Sequence, residues 1–158
     1  EILRDRGIDD ITLTLIGQGE TKEYIQQVLN YISGHHLEQF VVVKEHVDDL
    51  LEIRQHHDIG LTCSQREAFG RVTVENMMAG LLVIGANSGG TPEIITDGVN
   101  GFLYQEGNPD NLADVIQKAM SNIELARAIA QKGYEHSIET YSIKQVVDEV
   151  IRVYESIL

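Results

Sequence analysis

The chain has no tryptophan, two prolines and a single cysteine among its 158 residues. One cysteine, Cys63, cannot close an internal disulfide and points to a reducing, cytoplasmic compartment. Its place just after a strand reads as a small buried side chain rather than a nucleophile. Positive charge is scarce too: 12 Lys and Arg stand against 25 Asp and Glu, a formal net charge of −13. Nothing in that balance neutralises a phosphodiester backbone, so nucleic acid is disfavoured as a partner. No apolar run approaches the ~20 residues that span a membrane, and no signal peptide is visible. The histidine pairs His35-His36 and His56-His57 have no cysteine or carboxylate at ligand spacing, so no metal is expected. Gly17-Gln18-Gly19 follows a strand, but a dinucleotide fingerprint needs a third glycine where Lys22 stands. A nicotinamide cofactor is therefore poorly supported, and the two glycines read as a tight turn beneath a ligand.

What is present is the alternation of two periodicities. Hydrophobic residues make up 42% of the chain, enough for one globular domain over residues 1–158. Residues 11–16, 40–43, 57–62, 81–85 and 102–104 read as strands. Helical spacing predicts helices over 21–33, 48–55, 72–79, from 108 onward, over 123–135 and from 142 to the end. Strand and helix in alternation imply an α/β fold with a Rossmann-like parallel sheet and helices on both faces. Ser64 and Glu67, like Ser142 and Gln145, are spaced as capping boxes. Thr91 is expected to cap a helix with Pro92 in its first turn. The methionines Met77 and Met78 read as core filler. The turn Asp97-Gly98-Val99-Asn100-Gly101 reads as structural. The opening Glu1 to Arg6 reads as the tail of a helix, and hence as part of a longer protein.

One stretch organises the rest: Ser64-Gln65-Arg66-Glu67-Ala68-Phe69-Gly70-Arg71-Val72-Thr73-Val74-Glu75. It leads from a strand through a short loop into a helix, an arrangement that aims free N–H groups and a partial positive charge above the sheet. Phosphate is the natural guest there. Glu67 and Glu75 bracket the helix start. Eight helical residues span roughly 12 Å, wider than the roughly 5–9.5 Å of a glycosidase carboxylate pair. The spacing suits an elongated ligand with hydroxyls at both ends and phosphate between them. Asn87-Ser88-Gly89-Gly90-Thr91-Pro92-Glu93 makes a second glycine-rich entry to a helix on the same sheet edge.

Glu67 and Glu75 with Phe69-Gly70 between them resemble the signature of the retaining group 1 (family 4) glycosyltransferases. The resemblance continues through Met78-Ala79-Gly80, Leu82-Val83-Ile84, Ser88 to Ile95, Asp97 to Leu103 and Leu112-Ala113, in the family's order. It implies the C-terminal, donor-binding half of a two-domain GT-B fold, with its first strand absent. That strand would lie at the sheet centre, between residues 11–16 and 58–62. These residues alone are thus not expected to form an ordinary six-stranded sheet: the sheet closes over the gap, borrows a strand in a swapped oligomer, or is unstable.

By resemblance, Glu67 is the catalytic residue, contacting donor-sugar hydroxyls, and Glu75 holds the ribose. The N–H groups of Phe69 and Gly70 face the sugar, and those of Arg71, Val72 and Thr73 the diphosphate. Gly17 and Gly19 belong to the loop near the donor, and Val47 to the turn near the base, where Glu45 replaces the usual glycine. The implied partners are a nucleotide-diphosphate sugar, as substrate rather than cofactor, and an N-terminal acceptor domain. The implied setting is polysaccharide biosynthesis, and peripheral membrane association of the full-length enzyme is allowed. The last helix reaches back to the partner domain, so part of its apolar stripe is expected to be exposed here. The family's basic diphosphate-binding pair follows the absent strand, so the isolated chain is expected to be inactive. Rival readings are a nucleotide-sugar epimerase or hydrolase, which needs a close acid/base pair, and a non-catalytic sugar-nucleotide-binding domain. A receiver-like domain lacks its aspartate cluster.

Overall fold

The computed structural model describes residues 1–17, 21–45, 47–64 and 67–157. Gln18, Gly19, Gln65 and Arg66, all singled out above, lie outside the described residues. Two compact units divide the chain, Glu1–Leu50 and Leu51–Leu158.

The first unit contains the one-turn helix α1 (Ile2–Asp5), strand β1 (Leu13–Ile16), helix α2 (Lys22–Gly34) and strand β2 (Val41–Lys44). Thr21 starts α2 by accepting the Tyr24 N–H on its hydroxyl at 3.2 Å. The apolar face predicted for α2 is only partly covered: Ile32 is buried, while Tyr24 and Leu29 are exposed. His36, not Gly34, takes the left-handed turn after the helix, at φ 55°. β1 and β2 pair in parallel, Leu13 opposite Val41 through Ile16 opposite Lys44.

The second unit, which α3 (Leu50–Gln55) enters from the boundary, holds β3 (Ile59–Thr62), α4 (Arg71–Met78), β4 (Leu82–Ala86), α5 (Thr91–Ile94), β5 (Phe102–Tyr104), α6 (Pro109–Ser121), α7 (Ile123–Tyr141) and α8 (Ile143–Ile157). Its three strands form a parallel sheet in the order β3-β4-β5. Every residue of β4 is buried, because successive side chains enter different cores. Leu82, Ile84 and Ala86 join Phe102, Tyr104, Ile129 and Ala130. Val83 joins Val74, Met77, Ile94 and Ile95. Such two-faced burial is the mark of a parallel strand covered by helices on both sides. Met77 is fully buried core, as its spacing predicts.

The parallel α/β fold is as expected, and among the described residues five strands make two sheets rather than six strands in one. Other expectations need correction. α5 is a single turn whose N-cap is Gly90, so Thr91 does not cap it; Thr91 is buried beneath the loop instead. α7 runs to Tyr141, well past residue 135. Asn108 does cap α6, accepting the Asn111 N–H at 3.0 Å with Pro109 as the first helical residue. The Asp97–Gly101 turn is structural: Asn100 accepts the Thr96 N–H at 2.7 Å and donates to the Ile94 carbonyl at 3.0 Å. In α8 no residue is buried, and the stripe from Ile143 to Ile157 is exposed. Cys63 is exposed, not buried, since β3 ends at Thr62 before reaching it.

Candidate functional site

The loop that follows β3 is fixed from below. The Gly90 N–H donates to the Glu67 carbonyl at 2.8 Å. Gly89 lies so close that a Cβ there would stand 2.5 Å from the Glu67 carbonyl oxygen, and one on Gly90 would stand 2.8 Å from that of Ala68. Gly89 also has φ +55°, which a side chain resists. The second glycine-rich stretch therefore serves the first one: it is a floor for residues 67–69. The second helix entry expected on this edge is the one-turn α5 behind that floor.

Helix α4 begins directly above this floor. Gly70 turns the chain into it with φ 91°, a conformation open to glycine. The Glu67 carboxylate accepts the Gly70 N–H at 3.1 Å. The Ser64–Glu67 capping box is not formed, because the helix starts at Arg71, too far along for Ser64 to reach. Val74 makes the first intrahelical bond, to the Gly70 carbonyl at 3.2 Å, leaving the N–H groups of Arg71, Val72 and Thr73 outside the helical ladder. Thr73 has no exposed surface, and its hydroxyl donates to that of Thr62 at 3.1 Å, tying the helix to the end of β3. Arg71 and Val72 are exposed. The open part of the helix start is thus the first two residues, Arg71 and Val72, narrower than the three expected to face the diphosphate.

Glu75 lies one turn further in. Its carboxylate is paired with Arg54 at 2.7 Å and, more loosely, with Arg71 at 3.7 Å. The two acidic side chains therefore flank the first turn of α4, one on the Gly70 amide and one beside the Arg71 guanidinium. A carboxylate has about four acceptor positions, so each retains capacity for ligand hydroxyls. Arg54 escaped the sequence reading because an ion pair spanning 21 residues leaves no local period.

Phe69 is exposed and meets Tyr141 edge-on at 5.8 Å between ring centroids; His136 meets the same tyrosine at 5.7 Å. Burial, then the nearby Glu93 carboxylate, pushes the Tyr141 hydroxyl above its ordinary ionisation range. This aromatic corner was also missed, since Tyr141 lies beyond the predicted end of its helix. Tyr104 is raised as well, by burial and then by the Cys63 thiol beside it.

Gly17 and Val47 belong to the first unit. Gly17 continues the β1–β2 ladder by donating to the Lys44 carbonyl at 3.0 Å, and among the described residues no atom outside its neighbours comes within 4 Å of the place a Cβ would take. Val47 is half-buried. Among the described residues no group of three His, Cys, Asp or Glu could hold a metal, and no helix is long and apolar enough to cross a membrane.

Comparison with known proteins shows the family. The family model for glycosyl transferases group 1 matches residues 1–136. The chain belongs to the group 1 glycosyltransferases. Among curated relatives of this glycosyltransferase chain, N-acetyl-alpha-D-glucosaminyl L-malate synthase of Bacillus anthracis is 29% identical over 149 residues, covering 94% of this chain and 38% of that protein. Among solved structures, Anabaena Alr3699/HepE in complex with UDP superposes with a TM-score of 0.87 at 25% identity, covering 92% of this chain and 41% of that one. The C-terminal domain of a group 1 glycosyl transferase (LpcC) from Francisella tularensis gives 0.75 at 27% identity, over 84% and 70% of the two chains. The glycosyltransferase chain thus spans about two fifths of the first two relatives.

Proposed function

We propose that this chain is the donor-binding part of a retaining glycosyltransferase that moves a hexosyl group from a nucleoside-diphosphate sugar to a glycan or lipid-linked acceptor. One observation carries the reading: an exposed helix start at Arg71 and Val72, flanked by the carboxylates of Glu67 and Glu75. A solved relative holds UDP, which has the diphosphate and ribose this arrangement suits. In the reaction the bond from the sugar's anomeric carbon to the diphosphate oxygen breaks, and its electron pair leaves with the diphosphate. The amide dipoles of Arg71 and Val72, with the α4 dipole behind them, stabilise that departing charge. Glu67, held by its bond to the Gly70 amide, presents its remaining acceptor capacity to the sugar hydroxyls. Glu75 takes the ribose. The acceptor hydroxyl gives its proton to the departing diphosphate oxygen and forms the new bond on the same face of the sugar, with retained configuration. Nucleotide sugar is the substrate, no metal is required, and the work is done in the cytoplasm by the whole protein, not by these 158 residues alone.

The test is transfer by the full-length protein against a panel of nucleotide sugars, with product configuration read by NMR. The isolated 158-residue chain and a full-length Glu67→Gln variant run beside it. Glu67→Gln is expected to lower turnover by about a hundredfold with its fold intact, and the isolated chain to give no product. Undiminished turnover in Glu67→Gln would remove the catalytic assignment. Inverted product would remove the retaining one.

A further inference from the structure

Glu75 is held from behind by a network that no catalytic step requires. The Arg54 guanidinium is largely buried, with 16% of its side chain exposed, and its Nη2 donates to Glu75 Oε2 at 2.7 Å. Its Nε donates to Asn76 Oδ1 at 2.9 Å. Asn76 is itself buried at 6% exposure. It fits because the strand residue beneath is Gly60, where a Cβ would stand 2.6 Å from the Asn76 amide nitrogen. The guanidinium of α3 is thus held by two neighbouring residues of α4, and β3 makes room for one of them at Gly60. The planar guanidinium spends one nitrogen, Nε, on a neutral amide and another, Nη2, on the acid. Glu75 keeps 37% of its side chain exposed, with Oε1 turned to the Arg71 side of the helix start.

We propose that Arg54 is a positioning residue: it fixes the Glu75 carboxylate so that its outward oxygen meets the paired hydroxyls of a nucleoside ribose, and Asn76 fixes Arg54 in turn. This rests on the reading of Glu75 as the ribose contact. A glutamate free to sample its rotamers must be ordered when ligand arrives, and that ordering weakens binding. A glutamate already held by a buried arginine avoids that loss. The benefit falls only on ligands that carry the hydroxyls.

The discriminating experiment is calorimetric titration of the full-length protein with UDP, ADP and GDP, each beside its 2′-deoxy counterpart, and with inorganic pyrophosphate. Glu75→Ala tests the underlying reading: it should abolish the preference for ribose over deoxyribose, and a preference that survives overturns both the ribose assignment and this inference. Arg54→Lys keeps the charge and loses the fork. It should reduce that preference about three- to tenfold while pyrophosphate affinity stays as in the parent. If Glu75→Ala loses the preference and Arg54→Lys keeps it, the inference alone fails. It also fails if Arg54→Lys weakens all ligands alike, the result of a merely structural tie between α3 and α4. Should Arg54→Lys not fold, Asn76→Ala frees the same guanidinium and is judged by the same readings.

Discussion

Thr91 shows what the loop floor costs at a single residue. It has no exposed surface, and its Oγ1 has no hydrogen-bond partner among the described residues. The side chain is there for its methyl group: Gly85 beneath it has no Cβ, and one built there would come within 2.4 Å of Thr91 Cγ2. A buried hydroxyl without a partner loses its bonds to water and gains nothing in exchange. Thr91→Val keeps the methyl and removes the hydroxyl. The variant is expected to be more stable by about 1 kcal/mol, measured by denaturant unfolding; an equal or larger loss would show that the hydroxyl has a partner.

At the scale of elements, the range in sequence over which a contact acts decides what could be read beforehand. Strand alternation and helical spacing located every strand and the long helices, because those signals recur within a few residues. The helix start at residues 70–73 was legible for the same reason. Arg54 against Glu75 and Phe69 against Tyr141 were not, because each pair joins segments whose approach depends on tertiary packing. Gly133 fell inside the expected helix, but nothing beside it in sequence showed what it packs against. In the fold it lets the helix close on the Asp97–Gly101 turn, where a Cβ would stand 2.6 Å from the Asn100 carbonyl oxygen. Two effects compete in Gly133→Ala. Helix propensity favours alanine by about 1 kcal/mol. The clash falls on backbone held by the two Asn100 side-chain bonds, and overpacking of that kind costs about 1–3 kcal/mol. The clash should win, with a net loss of about 1 kcal/mol or more in thermal or denaturant unfolding, and a gain would mean the turn yields freely.

On the scale of the whole molecule, the two compact units have unequal means of holding themselves together. In Glu1–Leu50 the buried apolar residues among those described are Ile32 and Leu37, and the sheet has two strands. Leu13, Ile16 and Val42 on those strands are exposed. A two-stranded sheet is marginal in water unless an apolar face is well covered. In Leu51–Leu158 the central strand β4 is buried along its whole length, with a separate cluster on each face. Local stability follows buried apolar contact, so the amides of the two units should report different opening free energies. Hydrogen exchange of the 158-residue chain is expected to show β1, β2 and α2 exchanging through a low-energy opening while β3, β4 and β5 exchange only on global unfolding. Heating should then give two transitions, the first losing the Glu1–Leu50 signals. A single transition, with equal protection in Val42 and Val83, would show that the units unfold as one.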